Sequence, residues 1–295
     1  MKLLQPQHFK EYELLDCGRF EKLERFGSYI TIRPEPQAVW NKAWNESRWN
    51  NLAHVQFIPK NSSSGTWKKI KPMPDQWTIS YSLNSTHQPA EIQLRLGLTA
   101  FKHVGVFPEQ ASNWERIFSF ARLHPGCSML NLFAYTGAAS LAGRMGGAEV
   151  THVDSIRQVL NWANENQKLS RLTDIRWMLE DAFNFVKKEL RRSKQYQIIV
   201  LDPPSYGHGP KGEKWKLEEQ LAEMMKGVLE LLDPSHHLLI LNAYSLGFSA
   251  LITQNLLSPY SNQQKSQMDY GELYVSSASG ICLPLGVWGS LEKNN

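Results

Sequence analysis

A chain of 295 residues is long enough for one large or two ordinary domains, each with a real core. Its formal charge of +4 is only mildly basic, which permits an anionic partner but excludes the charge density of an obligate nucleic-acid binder. Three scattered cysteines (Cys17, Cys127, Cys282), with no Cys-x-x-Cys pair, argue against a disulfide framework or a zinc site. The polar stretch Met1 to Lys10 is no signal peptide, and no apolar run approaches membrane-spanning length. These features predict a soluble, cytoplasmic protein with no membrane or metal partner, and they imply no oligomeric state.

From Tyr12 to Ile79, short β-like runs such as Tyr29-Ile30-Thr31-Ile32 and Val55-Gln56-Phe57-Ile58 alternate with turn residues: Pro34, Pro36, Pro59, Ser62-Ser63-Ser64-Gly65 and Pro72. Five of the ten tryptophans fall between Trp40 and Trp77, enough to centre a small core there. A small antiparallel β-rich domain is predicted over residues 1–100, with a polar boundary at Ser85 to Pro89. From about Trp114 the pattern changes to buried strands alternating with amphipathic helices, which predicts a parallel α/β sheet over 101–295. Strands are expected at Ser128 to Phe133, Glu149 to Val153, Ile175 to Leu179, Tyr196 to Leu201 and His237 to Leu241. Helices follow at Ala138 to Met145, Arg157 to Leu169, Ala182 to Arg192, Leu217 to Leu231 and Ala250 to Leu257. Two late strands, Glu272 to Ser276 and Cys282 to Trp288, bring the sheet to seven.

Ligands of open α/β sheets lie beyond the carboxyl ends of the strands, so the residues ending each strand are the informative ones. The first strand ends in Ala134-Tyr135-Thr136-Gly137, a tight turn feeding a helix N-terminus, where backbone can approach a ligand closely. The second ends in Asp154, placed to accept both hydroxyls of a ribose. The third ends at Glu180-Asp181, where a carboxylate can receive an adenine amino group, and the fourth in Asp202-Pro203-Pro204-Ser205. Singly, Asp154 or Asp181 reads as readily as a helix N-cap. Four successive ligand-type strand ends favour a nucleoside site. A nicotinamide enzyme would want Gly-x-Gly-x-x-Gly at the first turn, where this chain has Ala134 and Ser140 in place of the flanking glycines.

Asn131-Leu132-Phe133-Ala134-Tyr135-Thr136-Gly137, Val153-Asp154, Glu180-Asp181-Ala182 and Leu201-Asp202-Pro203-Pro204-Ser205 resemble the motifs of bacterial class I methyltransferases. The resemblance runs from about Leu94 to the C-terminus and is nearest to the 23S ribosomal RNA large-subunit methyltransferases. It implies a Rossmann-like, seven-stranded sheet, the cofactor S-adenosyl-L-methionine and a ribosomal RNA partner. By resemblance, Gly137 and its turn (Asn131, Phe133, Tyr135, Thr136) hold the methionine part of the cofactor. Asp154 and Ser155 hold the ribose, and Asp181 and Ala182 the adenine. Gly105-Val106-Phe107-Pro108-Glu109-Gln110 matches a segment that closes the cofactor pocket through Phe107 and Gln110; as bare sequence it reads equally as a linking strand and turn.

Methyl transfer needs a nucleophile held about 3 Å from the methyl group in a site that excludes water. Two prolines give a stiff turn without N–H donors, leaving outward carbonyls and the Asp202 carboxylate to accept from an exocyclic amino group. Asp202, Pro203, Pro204, Ser205 and Tyr206 are therefore the expected catalytic element, and a base nitrogen the expected target. Amino-methylating enzymes usually carry an aromatic where this chain has Ser205, which leaves the stacking role of Tyr206 open. Cytosine C5 chemistry would need a thiolate after the fifth strand, where Asn242-Ala243-Tyr244-Ser245 stands instead. Gly207-His208-Gly209-Pro210-Lys211-Gly212 reads as a mobile loop over the substrate, with His208 a base, a phosphate contact or simply solvated. The cations Lys187, Lys188, Arg191, Arg192 and Lys194, and the tryptophans interleaved with Lys60, Lys68, Lys69 and Lys71, suit RNA. They suit a solvated helix face and a β-domain core better. A small-molecule or protein substrate, and a non-catalytic binding role, are the alternatives.

Overall fold

Four consecutive aliphatic residues, Ile198–Leu201, form a strand buried along its whole length, which is what a strand covered on both faces requires. In the computed structural model, which describes residues 1–61, 64–84, 90–244 and 247–294, this strand lies at the middle of an eight-stranded sheet. Its core strands are the first, Ser128–Leu132; the second, Glu149–Asp154; the third, Ile175–Leu179; the fourth, Ile198–Leu201; and the fifth, His237–Ala243. Across the sheet the order is Lys2–Leu4, Gln267–Ser276, Cys282–Lys293, fifth, fourth, first, second, third. The five core strands are parallel, and Cys282–Lys293 runs antiparallel to the fifth. The pattern predicts seven strands. The eighth, Lys2–Leu4, pairs in parallel with Gly271 to Leu273 at the sheet edge; three residues carry too little pattern to be read as a strand.

Helices Ala138–Met145, Arg157–Leu169, Ala182–Arg191 and Leu217–Glu230 follow the first four strands as expected. Helix Leu217–Glu230 turns Leu221, Met224, Met225 and Val228 into one cluster with Phe185, Val186, Ile199 and Leu239. The last helix runs beyond the expected stop to Gln264, through Pro259. There the Ser258 hydroxyl donates to the Gln254 carbonyl, and Lys265 ends the helix in the left-handed conformation.

The chain divides into two units, one of Met1–Leu4, Ser112–Leu273 and Gly286–Asn295, the other of Gln5–Ala111 and Tyr274–Leu285. The boundary expected at Ser85 to Pro89 lies outside the described residues, as do Ser62 and Ser63 of the expected turn. The second unit holds a five-stranded sheet taken in chain order, Tyr12–Gly18, Glu21–Phe26, Tyr29–Pro34, Val55–Pro59 and Gly65–Lys69, and a separate hairpin, Gln76–Leu83 with Ala90–Gly97. The sheet is not wholly antiparallel: Tyr29–Pro34 and Val55–Pro59 pair in parallel. The long connection that a parallel pair needs contains helix Glu46–Leu52, N-capped by Asn45, whose side chain accepts from Arg48 N.

Trp49 on that helix is fully buried, and its indole donates to Asp16 at 2.8 Å. The Trp40 indole donates to the Cys17 carbonyl and that of Trp67 to Thr99. Trp49 thus serves the interior of the unit, while Trp40 and Trp67 are half-buried. Beside them lies a buried ionic cluster: Arg33 donates to both oxygens of Glu24 at 2.7 and 2.8 Å, Tyr12 donates to Glu24 at 3.0 Å, and Lys22 pairs with Glu35 at 3.1 Å. Glu109 is buried as well, and burial raises its carboxyl above the usual range.

Candidate active site

Register places the ligand-type residues on one edge. Leu201 aligns with Leu132, Leu132 with Val153, and Asp154 with Leu179. The turn 133–137, Asp154, Glu180-Asp181 and Asp202–Ser205 are thus neighbours along the carboxyl ends, where strand order reverses between the first and fourth strands.

In the turn, Phe133 (φ 55°), Tyr135 (φ 50°) and Gly137 (φ 90°) all have left-handed backbone. The turn is tight and internally bonded: Ala134 N donates to the Val153 carbonyl and Gly137 N to the Ala134 carbonyl, each at 3.1 Å. Left-handed residues without glycine cost of order 1 kcal/mol or more and persist only where the surroundings hold them. Here the holders are visible. Asp154 Oδ2 accepts from Tyr135 N at 2.9 Å, and the buried Asn166 amide donates to the Thr136 carbonyl at 2.9 Å. Gly137 is required twice over, because a Cβ there would meet Ala163 Cβ at 3.2 Å on an unfavourable φ. Beneath the turn, the Asn131 amide donates to Ser140 Oγ at 2.9 Å, and Ser140 Oγ meets His152 Nδ1 at 3.0 Å. Burial pushes the His152 imidazole down to about 3, so the ring is neutral. Asn131, only 2% exposed, acts from below the turn.

The second oxygen of Asp154 accepts from Ile156 N at 2.9 Å. Burial dominates over these backbone donors and pushes the carboxyl up to about 6. Each oxygen keeps lone-pair capacity for a further donor. Next to it, Ser155 Oγ donates to the His208 carbonyl at 3.2 Å. Asp181 caps helix Ala182–Arg191, its Oδ1 accepting from Asn184 N at 2.9 Å, and burial raises its carboxyl. Ala182 is buried at the first helical position.

Asp202 ends the fourth strand half-buried, with Oδ1 wholly so. Pro203 is buried, while Pro204 and Ser205 are exposed. The Pro204 carbonyl accepts from the Trp215 indole at 2.7 Å and the Ser205 carbonyl from Leu217 N at 3.0 Å. The Pro204 and Ser205 carbonyls are therefore engaged within the protein.

The stretch expected as a mobile loop supplies the end of one strand and the turn of a β-hairpin, Tyr206–His208 against Lys214–Lys216. Alternation around a Gly-Pro turn is its sequence signal, hidden by how short each strand is. Trp215 secures it from within, packing on Phe133 at 4.9 Å between ring centroids. At the fifth strand's end Asn242 accepts from the Asn113 amide at 3.1 Å; Ser245 lies outside the described residues. Cys127 is buried, its thiol pushed up to about 11, so it is no ready nucleophile. Phe107 and Gln110 belong to the other unit, where His103 packs on Phe107 and Gln110 N donates to the Phe107 carbonyl at 3.1 Å in the 3-10 turn Pro108–Gln110.

The family model for S-adenosylmethionine-dependent methyltransferases matches residues 33–259. The chain belongs to this family. A crystal structure of the SAM-dependent methyltransferase from Agrobacterium tumefaciens is 34% identical, with a TM-score of 0.91 over 100% of this chain and 94% of that one. A methyltransferase structure from Streptococcus mutans shares the fold at 16% identity, TM-score 0.71, over 97% of this chain and 76% of its own. Ribosomal RNA large subunit methyltransferase K/L of Shewanella frigidimarina is 29% identical over 65% of this chain and 25% of that protein. Its namesake in Pseudoalteromonas translucida is 32% identical over 64% and 26%. This methyltransferase spans about a quarter of the length of those ribosomal RNA relatives. Its cofactor is S-adenosylmethionine. The residues present fit that group: a tight turn of left-handed residues at the strand-order reversal, and at the second strand's tip an acid with lone-pair capacity for vicinal hydroxyls.

Proposed function

We propose that this methyltransferase methylates a base nitrogen of ribosomal RNA in the cytoplasm. The observation that carries the reading is the Asp202-Pro203 acceptor pair at the strand-order reversal, with the Pro204 and Ser205 carbonyls engaged by Trp215 and Leu217. Acceptors without adjacent donors select a nucleophile that brings N–H groups, as an exocyclic amino group does. Holding two such hydrogens directs the nitrogen lone pair outward, and the gain appears chiefly during transfer. The bound cofactor supplies an electrophilic methyl on sulfonium. The turn Tyr135-Thr136-Gly137, supported by Asn131 and Phe133, is assigned to its methionine end, Asp154 and Ser155 to the ribose, and Asp181-Ala182 to the adenine. Pro204, Ser205 and Tyr206 continue the catalytic element, and the family resemblance assigns Phe107 and Gln110 to closure. The ribosomal RNA relatives support the substrate class.

Single-turnover transfer of a labelled methyl group to ribosomal RNA, beside cofactor titration, tests this. Asp202→Ala should slow transfer by about a hundredfold or more, the scale of losing one positioned group, with a far smaller change in cofactor affinity. Weak cofactor binding with a normal rate at saturation would move Asp202 to the cofactor site. Tight cofactor binding without transfer to RNA by the intact protein would transfer the reading to a small-molecule or protein substrate.

A further inference from the structure

The hairpin 206–216 has two faces of unlike chemistry. Pairing Tyr206 with Lys216, Gly207 with Trp215 and His208 with Lys214 sends alternate residues to opposite sides. Gly207 and Trp215 face inward, and Trp215 alone is buried there. Tyr206, His208, Lys214 and Lys216 face outward and are exposed, as is Lys211 at the tip. The inner face and the ends account for the hairpin's placement. Trp215 bonds the Pro204 carbonyl, Ser155 Oγ bonds the His208 carbonyl, and the Asn184 amide bonds Glu213 at 3.1 Å. The hairpin is thereby tied beside the ends of the second, third and fourth strands, and its outer face begins one residue after Ser205.

The outer face has no such structural employment. Its contacts are Tyr206 Oη to His208 Nε2 at 2.9 Å, with the two rings edge-on, and Lys216 to Glu219 at 2.7 Å. Among the described residues Lys211 and Lys214 form no ion pair. The only acid in the hairpin, Glu213, accepts from the Asn184 amide and from Lys211 N, and the Lys211 charge acts on it at the tip, away from Lys214. Lys216 thus stands opposite a Tyr206 ring that is 52% exposed, Lys214 follows opposite His208 on the same face, and Lys211 lies at the tip. Positive charge for phosphates with an aromatic plane for a base is the chemistry of single-stranded RNA recognition.

We propose that this outer face docks the single-stranded RNA adjoining the methylated nucleotide, with Lys211 and Lys214 on phosphates and the Tyr206 ring against a base. The proposal rests on the RNA reading above and assigns it a surface. The charge cluster on helix Ala182–Arg191 is the competing surface. There Lys188 pairs with Glu180, Arg192 pairs with Glu189, and Lys187 lies over the Phe183 ring.

The test uses the full chain and ribosomal RNA as acceptor, measuring KM for RNA, transfer rate at saturation, cofactor affinity and salt dependence. Lys211→Glu/Lys214→Glu should raise KM by about tenfold or more and lower the slope of log affinity against log salt by roughly 0.7 for each phosphate no longer neutralised. Cofactor affinity should be unchanged. Lys187→Glu/Arg191→Glu makes the same change of net charge on the competing helix and should leave KM within about twofold, the range of a general field effect. Tyr206→Phe should keep RNA affinity, while Tyr206→Ala should lower it about tenfold, the scale of one stacked base. Equal losses from the two charge reversals, or an unchanged KM in the hairpin variant, overturn the proposal while leaving ribosomal RNA as the substrate. Absence of transfer to RNA by the unaltered enzyme overturns both.

Discussion

The two units differ in what they bury beside their apolar residues. The sheet unit packs Leu130, Leu132, Ile199, Leu201, Leu239 and Leu241 into one apolar cluster, and its buried Asn131, Ser140 and His152 form an uncharged chain. The other unit places Glu24, Arg33, Lys22 and Glu35 inside, beside Trp49 and Tyr12. An aliphatic side chain stabilises wherever it is buried, by about 1.5–3 kcal/mol, and tolerates many neighbours. A buried ion pair stabilises only in one geometry, because each partner alone leaves a desolvated charge. One interior is forgiving in detail; the other depends on all its members at once.

The largest test of that contrast is Arg33→Met. It leaves the Glu24 carboxylate, whose side chain is 1% exposed, without its bidentate partner. A loss of about 3–5 kcal/mol in chemical denaturation is expected. Adding Glu24→Leu should restore part of it. Tyr12 then loses its acceptor, so recovery stops short by about 1–3 kcal/mol. If Arg33→Met costs less than a surface substitution, the interior of this unit is not held by its charges.

The same contrast explains which features are legible in the sequence. Periodic apolar runs such as Ile198–Leu201 announce themselves, so the core strands and their helices lie within a few residues of expectation, and the strand-end acids fall on one edge. Ionic interiors carry no such signal. Lys22, Glu24 and Arg33 alternate with apolar residues as any half-exposed strand does, and only the fold shows that both faces are covered. The hairpin after Ser205 is hidden by brevity, and the parallel pairing of Tyr29–Pro34 with Val55–Pro59 by the helix between them. The His152–Ser140–Asn131 chain joins residues on three different elements, which no local spacing reveals.

Asp154 gives a smaller effect, on affinity rather than fold. Asp154→Ala removes an acceptor assigned to two ribose hydroxyls and the tether of Tyr135 N. Calorimetry should show cofactor binding weakened by about 2–3 kcal/mol, the scale of charge-assisted hydrogen bonds. Unchanged affinity would remove the ribose role and leave Asp154 a brace for the turn.

The smallest effect is the pH dependence of that same carboxylate. Its pKa in the free protein is raised, by burial first, to about 6. A raised carboxyl pKa means the fold holds the proton more tightly than the unfolded chain does. This group's contribution to stability is therefore greatest in acid and is lost as pH rises through the window from the ordinary Asp value to about 6. Cofactor binding runs the other way, because accepting both ribose hydroxyls needs the ionised form. Affinity should be level above pH 7 and fall roughly tenfold for each unit below 6, since one proton must leave before the cofactor binds. Asp154→Asn cannot titrate and should flatten the profile, which separates this group from Asp181, whose carboxyl is also raised. The opposed signs tie the strand tip to function: the sheet unit keeps at its edge an acid that weakens the empty fold at neutral pH. Cofactor affinity that rises on acidification, or a parent profile as flat as that of Asp154→Asn, would show that the carboxylate does not face the ribose.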